Sequence, residues 1–214
     1  MRGVKILNEG ATTTQMVTAL RRNGHFVVEN YLSPQTCAMA LNESNILTKS
    51  EGRMVRRGFQ VYETGNYETL RPKSGLRWIF DNPWMTSVYS EFTGNTQGRN
   101  SIILERCEST SVHKITSTEP GLDRVRALDF IFYLSDVDMA SGPLSLCNGS
   151  NEIGKKIRDG VERPKADFRN YGYSEAIIAA KKGTLIVLDS NTFNRYQAMG
   201  PATFKMVARS RFFY

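Results

Sequence analysis

Histidine supply limits the metal chemistry open to this chain, because it holds two in 214 residues, His25 and His113. Around His113 lie Cys107, Glu119 and Asp123, which with it could in principle surround a divalent ion. A single imidazole with carboxylates several residues away is, however, a weak and unselective ligand set. His25 sits in the apolar run Phe26-Val27-Val28 and reads as a packing or surface residue. The cysteines, Cys37, Cys107 and Cys147, are odd in number, widely spaced and without a C-x-x-C pair. They suggest neither a disulfide framework nor a zinc ribbon, and they read as buried thiols. Arg106 beside Cys107 does little to activate it, since neighbours on a strand point to opposite faces.

The other residues able to act chemically are basic. Lys and Arg number 28 against 21 Asp and Glu, a net charge of +7. They occur in small groups, among them Arg21-Arg22, Arg71-Lys73-Arg77, Lys155-Lys156-Arg158, Lys181-Lys182 and Arg209-Arg211. Such a surface attracts nucleic acid, anionic membranes or acidic proteins. No groove-reading or base-stacking motif accompanies it, so Lys155, Lys156 and Arg158 are expected on a solvated basic face.

These residues must be positioned by one globular unit. A chain of this length falls within the roughly 200–250 residues that a single β-sandwich or barrel reaches, and 40% apolar residues with 10% aromatics can fill its core. No apolar run approaches the ~20 residues of a membrane span, and the start has no secretory-type apolar segment. A soluble intracellular protein is the expectation, cytoplasmic or part of an intracellular assembly.

Residues 1–100 are expected to supply helices and supporting strands. A threonine at 12–14 can cap a helix that ends at Asn23-Gly24, His25–Leu32 alternates like a strand, and Ser33-Pro34 starts a second helix through Ile46. Gly58–Glu63 reads as a strand, and Asn82-Pro83 to Gly94 as a capped helix. Residues 101–214 change character. Ser101–Cys107, Val125–Leu134, Pro143–Leu146, Thr184–Leu188 and Thr203–Tyr214 are rich in β-branched and aromatic residues between turn signals, which predicts an antiparallel sandwich or barrel. Asn151–Tyr173 reads as a loop with a short helix at the barrel mouth.

The segments Ser111–Ile115, Phe132–Leu144, Asn148-Gly149-Ser150 and Gly183–Ser190 with Phe193-Asn194 resemble, in order and spacing, the phytanoyl-CoA dioxygenase-like branch of the Fe(II)/2-oxoglutarate oxygenases. The opening pattern of helix, strand and helix is also similar to that family. The resemblance implies a mainly β, α+β protein built on a double-stranded β-helix (jelly-roll, cupin-like) barrel with an N-terminal helical region. It also implies where an iron site would stand. Two histidines and a carboxylate on one face of the metal are needed. The family's H-x-D or H-x-E pair falls on His113-Lys114-Ile115, where the carboxylate is an isoleucine. Its second histidine falls on Asn194, 11 residues past Gly183. The arginine that grips the far carboxylate of oxoglutarate falls on Lys205, a further 11 along. Lysine keeps the charge and loses the fork.

His113, Ile115 and Asn194 are therefore expected to be vestigial metal positions, with His113 alone still able to bind a metal, and no catalytic residue is assigned. Lys205, Arg209 and Arg211 are candidates for holding 2-oxoglutarate or another small acid. The expected role is non-catalytic, structural or binding, within a larger assembly or a homo-oligomer, and without a cofactor. The alternative is an active oxygenase that uses Fe(II) and 2-oxoglutarate to hydroxylate a small molecule or side chain through a rebuilt site.

Overall fold

The computed structural model describes residues 5–8, 10–56, 58–65, 70, 74–96, 100–109, 122, 125–163, 165 and 171–214. In chain order its elements are β1 (Ile6–Leu7), α1 (Thr13–Asn23), β2 (His25–Val28), α2 (Pro34–Ser50), β3 (Arg53–Arg56), β4 (Phe59–Thr64), α3 (Gly75–Phe80), α4 (Pro83–Thr93), β5 (Asn100–Ser109), β6 (Ala127–Tyr133), β7 (Leu144–Cys147), α5 (Asn151–Arg158), β8 (Glu175–Ile178), β9 (Leu185–Asp189), β10 (Asn194–Tyr196) and β11 (Thr203–Phe213).

Local sequence sets the helix ends. Thr12 and Gln15 form a capping box at the start of α1, each side chain bonded to the other's backbone N–H. Gly24 closes α1 in the left-handed conformation at φ 76°. A side chain there would also strike Thr192 Oγ1, only 2.1 Å from an added Cβ. Ser33 and Pro34 start α2, and Asn82 and Pro83 start α4.

Two sheets face each other. The large one has the order β1-β2-β9-β6-β11-β5-β4-β3, and the small one β10-β7-β8. Among the described pairings only β1 with β2 is parallel. Strand β6, Ala-Leu-Asp-Phe-Ile-Phe-Tyr, is buried along its whole length because it separates two cores. Phe130 and Phe132 point with Phe26, Leu185, Val187 and Met206 toward α1, α2 and α4. Ile131 and Tyr133 point with Val27, Ile186, Leu188 and Val207 toward Leu144, Leu146 and Ile178 of the small sheet. Each fully buried Leu, Ile, Val or Phe contributes about 1.5–3 kcal/mol, so both layers hold the barrel shut. This is the jelly-roll architecture with an N-terminal helical layer that the resemblance implied.

Several boundaries differ from the sequence reading. The strand expected over His25–Leu32 stops at Val28, since Asn30 turns the chain with φ 56°. β1, β3, α3, β8 and β10 were not foreseen; each is short, and their patterns cover too few residues to register. Within the Asn151–Tyr173 segment the expected short helix is α5. No described helix is long and apolar enough to cross a membrane.

Candidate functional site

Register across the large sheet fixes which side chains enter the space between the sheets, because directly opposed residues share a face. One row runs His25, Leu188, Asp129, Arg211, Ser101. The next runs Val27, Ile186, Ile131, Arg209, Ile103. Tyr133, Val207 and Glu105 form a third, and Lys205 with Cys107 a fourth. On the small sheet Asn194 is opposite Leu146, and Tyr196 is opposite Leu144, both apolar partners being in the inter-sheet core. The structure thus brings Asn194, Lys205, Arg209 and Arg211 to one interior.

Their partners there are polar residues of the same barrel. Arg211 grips Asp129 with both prongs, Nε to Oδ1 and Nη2 to Oδ2 at 2.7 Å each. Arg209 lies 3.0 Å from Glu105 Oε1 and 3.6 Å from Asp129 Oδ2. It also donates to the Tyr196 hydroxyl at 2.8 Å. Lys205, although a lysine, is 2% exposed. Its ammonium donates to Gly142 O at 2.5 Å and stands 3.9 Å from the centre of the Tyr196 ring, a cation–π contact strengthened by the dry surroundings. Burial pushes the Tyr133 and Tyr196 hydroxyls upward, so both stay protonated. Tyr133 donates to Ile178 O and accepts from Leu144 N, pinning the small sheet to the large one.

Among the described residues no iron site of the usual kind is assembled. Among the described residues no group of three His, Cys, Asp or Glu could hold a metal ion. Asn194 faces the interior, and its amide nitrogen is committed to Thr192 O at 2.9 Å. His25 is buried, accepts from Lys5 N through Nε2 and bonds Asn23 O through Nδ1. Desolvation pulls its imidazole down to about 4 against that backbone bond. Both ring nitrogens serve packing. His113 and Ile115, with Glu119 and Asp123, lie outside the described residues.

The basic surface is mixed. Lys155 and Lys156 are exposed on α5, whereas Arg158 is half-buried and donates to Ser190 O at 2.9 Å. None of the three cysteines is in a disulfide, and all three are buried. Burial raises the Cys37 thiol, and pushes that of Cys147 to about 12. Sequence reasoning passed over Glu105, Asp129, Tyr133 and Tyr196, which line the same interior. A charge in the middle of an apolar strand, as Asp129 is in β6, was the available signal. Only the register shows that it meets Arg211.

No family model matches the chain, and no curated protein sequence matches it. Solved structures do. The non-heme α-ketoglutarate-dependent epimerase SnoN from nogalamycin biosynthesis superposes with a TM-score of 0.72, at 15% identity, over 94% of this chain and 82% of that one. The chain has the fold of the Fe(II)/2-oxoglutarate oxygenases. The α-ketoglutarate-dependent carbocyclase SnoK gives 0.71 at 13% identity, covering 96% and 85%. HygX from Streptomyces hygroscopicus, solved with nickel and 2-oxoglutarate bound, gives 0.67 at 9% identity, covering 95% and 87%. This oxygenase fold runs through the helical layer as well as the barrel, since the superpositions span nearly the whole chain.

Proposed function

We propose that this chain is a non-catalytic member of the phytanoyl-CoA dioxygenase-like branch, acting as a binding or structural component of an assembly or homo-oligomer. The observation that carries the reading is Asn194, an amide on the inward face of β10 where the resemblance calls for an imidazole. An amide oxygen is a poor partner for iron beside imidazole. The chain cannot recruit a replacement histidine from elsewhere, since His25 is locked into β2 by two backbone bonds. Lys205, at the co-substrate position, already has a backbone carbonyl and a phenol ring. Among the described residues the groups on hand do not fit an iron–oxoglutarate centre.

The test is calorimetric titration of the purified chain with Fe(II) under anaerobic conditions, with sedimentation to measure its assembly state. Weak, non-stoichiometric heats and a defined oligomer or co-purifying partner are expected. A one-to-one iron site would overturn the reading. The second reading, an active 2-oxoglutarate-dependent oxygenase with a site rebuilt around His113, is favoured by the neighbours SnoN, SnoK and HygX, which are described as α-ketoglutarate-dependent or carry 2-oxoglutarate. Turnover of 2-oxoglutarate to succinate, dependent on Fe(II), would establish it.

A further inference from the structure

Two carboxylates enter the barrel interior from the strands on either side of β11. Glu105 comes from β5 and Asp129 from β6. Between them they hold both interior arginines. Arg211 meets Asp129 in the two-pronged geometry with which arginine receives a free carboxylate. Arg209 touches Glu105 on one side and Asp129 on the other, so two acids share one guanidinium.

We propose that Glu105 and Asp129 act as a built-in diacid, filling the acid-binding interior of the barrel and excluding free dicarboxylates such as 2-oxoglutarate. The inference deepens the non-catalytic reading and rests on it. The geometry is that of a receptor with its ligand in place. The Arg211 fork and the Arg209 guanidinium close on carboxylate groups, but the carboxylates are covalently part of the chain. At 7% and 0% exposure, Glu105 and Asp129 do not exchange with solvent, and their local concentration exceeds that of any diacid in solution. The two are not equally well held. Asp129 has both oxygens bonded by Arg211, while Glu105 Oε2 is buried without a hydrogen-bond partner. Glu105 is therefore the weaker occupant, and its removal should open the interior first.

The experiment uses iron-free protein in the presence of EDTA, so that it separates acid binding from metal binding. Wild type, Glu105→Ala and the double variant Glu105→Ala/Asp129→Ala are titrated with acetate, succinate and 2-oxoglutarate, by calorimetry and thermal unfolding at constant ionic strength. Wild type is expected to show no binding at millimolar acid. Glu105→Ala is expected to be stabilised saturably by acetate, and the double variant by succinate or 2-oxoglutarate, about tenfold or more tighter than wild type. Adding Arg209→Met should abolish the gain. Saturable binding of 2-oxoglutarate to wild type would overturn the inference, as would a folded Glu105→Ala indifferent to acetate. Should the double variant fail to fold, the wild-type and Glu105→Ala titrations still decide. A one-to-one iron site in the separate Fe(II) titration would defeat the non-catalytic reading, whereas diacid binding to the metal-free wild type defeats this inference alone, so the two failures are distinguishable.

Discussion

Replacing Asp129 by alanine removes the carboxylate on which the interior charge network turns. Asp129 is fully buried and takes two bonds of 2.7 Å from Arg211 with a third contact of 3.6 Å to Arg209. After the change Arg211 loses the buried carboxylate that takes both its prongs, and Arg209 keeps Glu105 and the Tyr196 hydroxyl. Breaking a buried pair by removing one partner costs about 3–5 kcal/mol. A chain of this size loses about 2–4 °C in midpoint per kcal/mol, so a fall of roughly 6–20 °C is expected. Urea unfolding followed by tryptophan fluorescence is the assay. Trp84 packs edge-on against Phe130, the next residue in β6, at 5.6 Å between ring centres, and should report the transition directly. The midpoint should fall with the slope unchanged, the mark of lost stability without a change in compactness. Replacing both partners, Asp129→Leu with Arg211→Met, should recover most of the loss, since well-packed apolar residues often match a buried ion pair. A single-variant cost under about 1 kcal/mol, the scale of an exposed pair, would refute the assignment of Asp129 to the dry interior.

Three other outcomes follow from the same packing. His25 is held neutral, its imidazole near 4 against an ordinary 6.5, so the unfolded chain gains a proton that the folded chain refuses. Stability should fall between about pH 6.5 and 4, by up to ~3 kcal/mol, and His25→Gln should flatten that slope in urea melts across the range. Gly154 of α5 lies under the β9–β10 loop, where an added Cβ would come within 1.8 Å of Asn191 O. Gly154→Ala should therefore cost about 1–3 kcal/mol by overpacking, measured as a drop in thermal midpoint. The three buried thiols should ignore Ellman's reagent in the folded protein and all react in denaturant; fast labelling of Cys37 or Cys147 in native buffer would contradict their burial.

Much of the fold was legible because its strongest elements carry their own punctuation. The Thr12 cap and Gly24 stop bound α1, the Asn82-Pro83 start and Gly94 stop bound α4, and long β-branched runs gave β5, β6, β9 and β11. What stayed hidden depends on neighbours. β10 has three residues and exists as a strand because β7 receives it, and β8 is recognisable only from its pairing with Leu144–Cys147. The site divides the same way. The substitution at Asn194 is visible in the sequence, as is the scarcity of histidine. The fate of Arg209 and Arg211 is not, because it depends on a register that sets Arg211 opposite Asp129 and Val207 opposite Glu105. From the sequence alone those arginines look available to a ligand; in the fold they hold the chain's own carboxylates.

We propose above that this oxygenase fold no longer builds an iron–oxoglutarate centre. Visible absorption of the anaerobic protein with Fe(II) and 2-oxoglutarate tests it most directly, because the chelated complex has a charge-transfer band that neither component shows alone. A featureless spectrum through excess of both is the expected result. A band that saturates at one iron per chain would contradict the account.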